Sequence, residues 1–154
     1  MIEPPRITQT DARLAAAIHL KVPRNEIRSV MGPAIGEVTA AARSQGVGPC
    51  GPWFTHHLKV DPATFDFQVC VPISAPIAAA GRVVCATMPA ARVARTIYQG
   101  PYEKLGDAWS EFGGWIAANG YAAASDFYEC YLEGPESSSN PADWRTELTR
   151  PLID

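Results

Sequence analysis

The sequence predicts an α+β protein of two βαββ repeats related by a pseudo-twofold axis, with antiparallel sheets, helices on the outer face and a ligand cleft between the repeats. The main observation is that the 154-residue chain shows one order of patterns twice, namely strand, helix, strand, strand. One helix covers only one face of the strands in its repeat, so two repeats can bury their remaining faces against each other. The length fits a single domain, 1–154, which can bury about 70% of its extended-chain surface without a metal or a disulfide.

Each repeat begins with an extended apolar segment, "ARLAAAIHL" at 12–20 and "ARVARTIYQ" at 91–99. A helix-like pattern follows each of these segments, so the sequence favours a strand and then a helix in each repeat. We place repeat one at about 5–75 and repeat two at about 82–153. A further strand is predicted around 83–87.

The helix of repeat two has the clearer signal. Its apolar residues recur at i, i+4, i+7 and i+11, as Leu105, Trp109, Phe112 and Ile116. This spacing is the stripe of an amphipathic helix, and Pro101 precedes it, where proline is favoured at a helix start. We therefore assign Trp109 and Phe112 to packing beneath the sheet.

The helix of repeat one is interrupted. The apolar residues that fit the helical period are Ile27, Met31, Ile35 and Val38. Gly32 and Pro33 stand among them, and proline in a helix interior removes a backbone hydrogen bond and clashes with the preceding turn. The sequence therefore predicts a regular helix only from about Pro33.

A glycine follows each predicted helix, and Gly46 and Gly120 are both placed to end it in the left-handed conformation. Two strands then follow in each repeat. They lie in "RSQGVGPCGPWFTHHL" (43–58) and "FDFQVCVPI" (65–73) of repeat one, and in "AANGYAAASDFYECYL" (117–132) and "WRTELTRPLI" (144–153) of repeat two. The last strand of each repeat is predicted to end at its proline, Pro72 or Pro151, and 133–143 forms the loop of the last hairpin.

Composition argues against several classes of function. The net charge is -3 and the thirteen Lys and Arg residues are scattered, which predicts no direct binding to nucleic acid or to an anionic membrane. No apolar run approaches the roughly 20 residues of a membrane span, and the first residues do not resemble a signal peptide. We expect a cytoplasmic protein without a cofactor.

The cysteines and histidines give no metal pattern. The four cysteines form no CxxC pair and three of them lie in apolar runs, so we expect buried free thiols. His56 and His57 are adjacent and point to opposite faces of a strand, so they cannot simply share one ion. The sequence predicts no metal site.

One carboxylate stands between aromatic residues. Strand alternation puts Phe127, Glu129 and Tyr131 on one face. Moving a carboxylate from water into such surroundings costs several kcal/mol unless it is compensated, and burial can raise its pKa. Glu129 is therefore paired with a cationic ligand or kept protonated. The alternatives are a structural pair with an arginine such as Arg95 or Arg145, or a position facing solvent.

The equivalent positions in repeat one are Trp53, Thr55 and His57. Together with the three residues around Glu129 they form one facing set if the odd positions point to the cleft. The helices must then cover the opposite faces of these strands. Trp115 lies off the helical stripe and could rim the cleft. The alternative for the strand aromatics is a packing role in the core, which is common for such residues.

Five segments resemble the GyrI-like family, also called the bacterial transcription-activator effector-binding domain, with the SOUL/gyrase-inhibitor-like fold. They are "GPWFTHH" (51–57), "DFQVCVPI" (66–73), "YQGPYEKLGDAWSEFGGWIAANGY" (98–121), "YECYLEGP" (128–135) and "WRTELTRPLI" (144–153). They span nearly the whole chain in the order of the family. We expect a stand-alone member, with no space for a helix-turn-helix.

The resemblance implies that lipophilic and often cationic compounds bind between the repeats, against a glutamate on the penultimate strand that Glu129 matches. It also implies a second acidic position in the last strand, matched by Glu147, although a strand with charges there is often a solvated edge. Gln68 and His57 depart from the family, which often has an acidic residue and a tyrosine there. These departures leave the ligand charge and any acid/base pairing open.

Three functions follow from the resemblance. The first is binding of a lipophilic, aromatic or cationic small molecule. The alternative is hydrolysis of cyclopropane-type reactive xenobiotics, with Glu129 as the acid/base residue and His57 activating water. The third is inhibition of a protein target such as DNA gyrase, and a stand-alone binding domain could also act through a separate regulator. Fold relatives bind haem, but we expect none here because no lone cleft histidine is convincingly placed.

Overall fold

The computed structural model describes residues 2–59, 62–135 and 137–153. Its strands and helices, in chain order, are β1 (Arg6–Gln9), β2 (Arg13–Pro23), α1 (Ile27–Ser44), β3 (Phe54–Lys59), β4 (Thr64–Pro72), β5 (Val84–Met88), β6 (Arg92–Gln99), α2 (Leu105–Ala118), β7 (Ala122–Ala123), β8 (Phe127–Glu133) and β9 (Arg145–Ile153). The strand pairs within the two units described below are antiparallel, so the fold is α+β, as the sequence predicts. No helix in the described ranges is long and apolar enough to cross a membrane.

Residues 11–90 form one compact unit, the central unit. Its strands pair in the order β5, β2, β4, β3. The register pairs Ile18 of β2 with Val69 of β4, so both side chains lie on one face. They share a buried cluster with Val38 of α1, which shows that α1 covers this face of the strands.

The first ten residues and residues 91–154 form the other unit, the split unit. Its strands pair in the order β1, β6, β9, β8, and β7 pairs with the end of β9. Ala94, Tyr98 and Leu148 lie on one face of these strands and form a buried cluster with Phe112 and Ile116 of α2. The helix of this unit therefore also covers one face of its strands.

Both units contain the predicted βαββ pattern, with the same pairing order. The first strand of the pattern pairs with the last, since β2 pairs with β4 and β6 pairs with β9. The remaining strand lies on the other side of the last one, as β3 does beside β4 and β8 beside β9. The pseudo-twofold axis and the cleft placed on it stay predictions.

Each unit also has an edge strand from within the bounds that the sequence predicted for the other repeat. β1 lies within the bounds of repeat one, yet it pairs with β6 of repeat two. β5 lies within the bounds of repeat two, yet it pairs with β2 of repeat one. The chain therefore passes from the split unit to the central unit after residue 10 and returns to the split unit after residue 90. The sequence had placed the repeats at about 5–75 and 82–153.

The predictions for α2 and for the helix ends are confirmed. α2 starts after Pro101, and Phe112 and Ile116 are buried in its stripe. Gly46 and Gly120 follow α1 and α2 with φ of 70° and 79°. This is the left-handed region that favours glycine.

The prediction for the start of α1 is wrong, because the helix begins at Ile27 and continues through Pro33. Pro33 is exposed, while Ala34, Val38 and Ala42 on the other side of the helix are completely buried. Packing of an apolar face supplies most of the stability of a helix in a protein. Here it outweighs the backbone hydrogen bond that the proline removes.

The strand-end prediction is correct for β4, which ends at Pro72, and wrong for β9, which continues past Pro151. Leu152 and Ile153 pair with the two residues of β7. This additional partner strand extends β9 beyond the proline.

The four cysteines are free, but the expectation that they are buried holds fully only for Cys70. Cys130 is half-buried, and Cys50 and Cys85 are exposed. Cys85 is exposed because β5 ends the strand order of the central unit. Burial raises the pKa of the Cys70 thiol to about 12, an effect only partly opposed by Arg13.

Candidate functional site

Glu129 lies on β8, on the face of the split unit that α2 covers. The register pairs Glu129 with Leu148 of β9 and Tyr131 with Thr146, and Leu148 belongs to the buried cluster beneath α2. Side chains at paired positions of neighbouring strands lie on the same face. The half-buried carboxylate therefore points to the helix side of the strands. The expectation that the helix covers the opposite face is wrong here, because Leu148 beside Glu129 packs under α2.

Uncharged donors from two different elements contact this carboxylate. The indole N–H of Trp109 donates to Oε2 at 2.7 Å, and the hydroxyl of Tyr131 donates to Oε1 at 2.7 Å. Trp109 comes from the middle of α2 and Tyr131 from β8, so the helix and the strand each fix one oxygen. Both donors are neutral, so these two hydrogen bonds bring no positive charge to the carboxylate.

Aromatic rings lie next to both donors. The ring centroid of Trp109 is 4.7 Å from that of Phe127, with an interplanar angle of 61°. The Tyr131 ring meets Tyr102 edge-on, with centroids 5.9 Å apart. Edge-to-face pairs are a favoured aromatic geometry. We call these five residues, Glu129, Trp109, Phe127, Tyr131 and Tyr102, the Glu129 cluster.

The two arginines considered as structural partners of Glu129 contact other carboxylates. Arg95 Nε lies 3.5 Å from Glu147 Oε1, and Arg145 Nη2 lies 3.2 Å from Glu3 Oε2. Arg95 is in register with Thr149, whose position alternates to the face opposite Glu129. These contacts do not favour a pair between Glu129 and either arginine.

Glu147, the second predicted acidic residue, lies on β9 next to β8 but on the other face of the strands. It is in register with Cys130, one residue from Glu129. Its half-buried side chain is the partner of Arg95. The structure therefore does not bring the two glutamates together on one face, and a ligand-binding role for Glu147 stays a prediction.

Trp53, Thr55 and His57 belong to the central unit. Thr55 and His57 are buried on β3, in register with Val69 and Phe67 on the face that α1 covers. The His57 ring stacks on Phe67 with centroids 5.2 Å apart. Trp53, just before β3, packs against the same core. The part of these three residues in a ligand site stays a prediction.

The hydrogen bond from Trp109 to Glu129 was missed from sequence, because Trp109 was assigned to packing alone. The ring does pack against the core cluster under α2, but its N–H sits at one edge of the ring and needs a partner when buried. That need is the signal that could have found it. Trp115, predicted to rim the cleft, stacks on Tyr121 with centroids 6.4 Å apart.

A cation lies at the end of this face. The Arg150 guanidinium is 5.6 Å from the centroid of Phe127, and its Nε–H donates to the Ala124 carbonyl at 2.9 Å. Burial lowers the pKa of Arg150, and attraction to Asp126 opposes this shift. The face therefore combines the acidic Glu129 and the basic Arg150 with aromatic rings, and Arg92, two residues before Ala94 on β6, also lies on it, over the ring of Tyr121.

The chemistry available to the Glu129 cluster is that of recognition. A fixed carboxylate attracts a cation or accepts hydrogen bonds, and aromatic faces offer apolar walls that also attract cations. In the described ranges 2–59, 62–135 and 137–153, no three His, Cys, Asp or Glu side chains lie close enough to hold a metal ion.

The fold and the cluster define a class, the α+β domains with a duplicated βαββ unit and a carboxylate set among rings. The family profile described as "GyrI-like small molecule binding domain" matches residues 3–153. The chain belongs to this family, which confirms the resemblance seen in the sequence. A search of curated protein sequences gave no match.

Solved structures with the same fold have low sequence identity. The EcmrR C-terminal domain has a TM-score of 0.84 at 21% identity, with 98% of each chain covered. SAV2435 bound to tetraphenylphosphonium has a TM-score of 0.70 at 13% identity, with 98% of this chain and 94% of that chain covered. A hydrolase from Listeria innocua has a TM-score of 0.67 at 12% identity, covering 97% and 91%. At these identities the likeness shows the fold alone.

Proposed function

We propose that the protein binds lipophilic cations with aromatic groups at the Glu129 cluster. The observation that carries the proposal is the Glu129 carboxylate, fixed at 2.7 Å by both Trp109 and Tyr131 and set beside aromatic rings. A site fixed before the ligand arrives loses less entropy on binding than one that must be ordered. Small-molecule binding is also the property by which the family is described.

The physical basis is the combination of a carboxylate with rings. At an effective dielectric constant of about 20, opposite charges 4 Å apart attract by ~4 kcal/mol before the cost of desolvation. Each good contact between a cation and a ring face adds about 0.5–2 kcal/mol. A small hydrated cation gains little from the rings, so this combination favours large cations with a diffuse charge.

A relative supports this ligand class. SAV2435, which has the same fold, was solved bound to tetraphenylphosphonium, a cation with four phenyl groups. Tetraphenylphosphonium is therefore the first ligand to test. Tetraphenylborate has nearly the same shape and the opposite charge, which makes it the matched control ligand.

The experiment is a calorimetric titration of both ions into the protein and into Glu129→Gln. We expect the cation to bind with saturation and the anion to bind at least 10-fold more weakly. Glu129→Gln removes the charge and keeps the size, and it should weaken the cation by about 10- to 100-fold, or ~1.4–2.8 kcal/mol. The exposed Glu133 lies on the same strand, so Glu133→Gln removes an equal charge outside the cluster and should bind like the parent.

Two results would count against the proposal. One is equal affinity for the cation and the anion, which would indicate apolar capture alone. The other is a cation affinity that Glu129→Gln and Glu133→Gln lower equally, which would indicate only the net charge of the protein. A circular dichroism spectrum and a melting curve for each variant establish that the fold is intact.

Hydrolysis of reactive xenobiotics is not proposed. The neighbours named as hydrolases share 11–12% identity with this chain, so they support the fold and not the reaction. The gyrase target and the separate regulator stay predictions from the sequence.

A further inference from the structure

Arg150 lies on the same face as Glu129, one step along the strands. Tyr128 is in register with Thr149, and Glu129 with Leu148. From the pair of Glu129 and Leu148, two residues towards the start of β8 lead to Phe127, and two residues towards the end of β9 lead to Arg150. The antiparallel register therefore places Phe127 next to Arg150. Two residues of a strand span about 7 Å, so the acidic and the basic side chain belong to adjacent rows of one surface.

Phe127 lies between the two charged groups. The centroid of its ring is 4.7 Å from the ring centroid of Trp109, the donor to Glu129, and 5.6 Å from the guanidinium carbon of Arg150. The N–H of Arg150 that bonds Ala124 is one of the five donors of a guanidinium. A planar guanidinium with several donors matches the geometry of a carboxylate.

Arg150 is half-buried, and burial lowers its pKa, while attraction to the Asp126 carboxylate opposes this shift. A cation that has lost part of its water gains more from a counter-ion than one in bulk solvent.

We infer that Arg150 is a specificity-determining residue, which makes the Glu129 cluster selective for aromatic zwitterions that carry a cation and, one ring away, a carboxylate. This inference rests on the proposed function and names the ligand class of that site. The cation of the ligand pairs with Glu129, its ring lies along Phe127 and Trp109, and its carboxylate pairs with Arg150.

The same arrangement has an opposite effect on simple cations. A ligand that has only a positive charge gains from Glu129 and is repelled by Arg150. Removing the charge of Arg150 should therefore weaken a zwitterion and strengthen a simple cation. A residue with only a structural role would weaken both.

The experiment uses three ligands on one scaffold, titrated by calorimetry. They are tetraphenylphosphonium, (4-carboxyphenyl)triphenylphosphonium, which is a zwitterion, and the methyl ester of the latter, which restores a single positive charge. The parent protein should bind the zwitterion at least 3-fold more tightly than the ester. This comparison needs no variant, so it is independent of any folding defect.

The variants then locate the effect. Arg150→Gln should weaken the zwitterion by about 10-fold and strengthen the ester and tetraphenylphosphonium by about 2-fold, whereas Arg150→Lys should keep most of the preference for the zwitterion. Arg145 lies on the same strand but alternates to the other face, where it contacts Glu3. Arg145→Gln is therefore the matched control and should change neither ligand selectively.

Two outcomes overturn the inference while the proposed function stands. In the first, the parent binds tetraphenylphosphonium and the methyl ester in a way that depends on Glu129, but it binds the ester as tightly as it binds the zwitterion. In the second, Arg150→Gln lowers the affinity for all three ligands by the same factor. If none of the ligands saturates the parent protein, the proposed function fails and the inference fails with it.

Discussion

At the residue scale, the notable property of Glu129 is that its two oxygens are held by different elements. Trp109 is on α2 and Tyr131 is on β8. The carboxylate therefore ties the helix to the strand as well as offering a charge to a ligand. Hydrogen bonds to charged groups contribute about 1.5–3 kcal/mol each when buried, and less when part of the group meets water.

A double-mutant cycle tests this tie. Tyr131→Phe removes only the hydroxyl, and we expect it to lower the free energy of unfolding by about 1–2 kcal/mol, because it deletes a bond to a charged acceptor. In the Glu129→Leu background the same change should cost less than about 0.5 kcal/mol, since the acceptor is already absent. Urea unfolding of the four proteins gives the coupling energy.

The control for this cycle is Tyr121→Phe, because Tyr121 stacks on Trp115 rather than on a member of the Glu129 cluster. Its cost should be the same in both backgrounds. Additive costs for Tyr131→Phe and Glu129→Leu would show that the hydroxyl and the carboxylate do not stabilise each other.

The buried Cys70 thiol gives a second residue-scale prediction. Its pKa is raised to about 12 by burial, against an ordinary value of 9.0. In native protein at pH 8, a short pulse of iodoacetamide should modify the exposed Cys50 and Cys85 and leave Cys70 untouched, because the thiolate is the reactive form. Peptide mass spectrometry identifies the modified residues, and the same pulse in 8 M urea, as a control, should modify all four.

The sign of the pH effect follows from the same shift. Above pH 9 the unfolded thiol releases its proton while the folded one keeps it, so stability falls as pH rises from 9 towards 12, by up to about 1.4 kcal/mol per pH unit. Cys70→Ala should show a shallower loss over this range. Equal pH slopes for the two proteins, or labelling of native Cys70 as fast as Cys85, would contradict the buried thiol.

At the scale of elements, the glycines that end the helices have a measurable role. Gly46 and Gly120 have positive φ, and a Cβ added to either meets nothing within 4 Å. The cost of an alanine there is therefore backbone strain alone, about 1–2 kcal/mol. We expect Gly46→Ala and Gly120→Ala to lower the free energy of unfolding by similar amounts.

Gly113 provides the matched control for this prediction. It lies in the interior of α2, has an ordinary helical backbone and also leaves open space around an added Cβ. Gly113→Ala should stabilise the protein by about 0.5–1 kcal/mol, because alanine favours a helix. Thermal unfolding that shows the same sign for all three substitutions would contradict the left-handed helix ends.

Most elements could be predicted from sequence because each has a local signal. The stripe that contains Phe112 and Ile116 repeats at the helical period, and strand alternation placed Phe127, Glu129 and Tyr131 on one face, as the register confirms. Local rules failed where a tertiary contact decides. Pro33 is kept inside α1 by packing on the opposite side of the helix, and β9 passes its proline because β7 supplies a partner.

The site was harder to predict than the elements. Periodicity assigned Trp109 to the core, and its ring is indeed there, but periodicity does not show where an N–H points. The register also pairs Glu147 with Cys130, the residue after Glu129 on β8, and not with Glu129 itself. A shift of one position along a strand moves a side chain to the other face, so the two glutamates could not be grouped before the register was known.

At the scale of the whole molecule, binding should appear as stability. A ligand that binds only the folded protein adds about 2.7 kcal/mol at 100 times its dissociation constant. For a chain of 154 residues this corresponds to a rise of about 5–10 °C in Tm. We expect tetraphenylphosphonium to produce this rise in the parent and in Glu133→Gln, and a much smaller one in Glu129→Gln at the same concentration, measured by differential scanning calorimetry.

Tetraphenylborate is the control in this measurement as well. An equal rise in Tm with the anion, or with Glu129→Gln at the same concentration of cation, would show that binding of the ligand does not depend on the carboxylate.

The pairing of β1 with β6 and of β5 with β2 affects how the gene can be dissected. A clone that starts at codon 82 would encode β5 without β2 and β6 without β1, which leaves bare backbone donors and acceptors as a template for aggregation. A clone of codons 11–90 would keep both members of each pair within the central unit. The coding sequence is thus nested, because the segment for the central unit is inserted into the segment for the split unit.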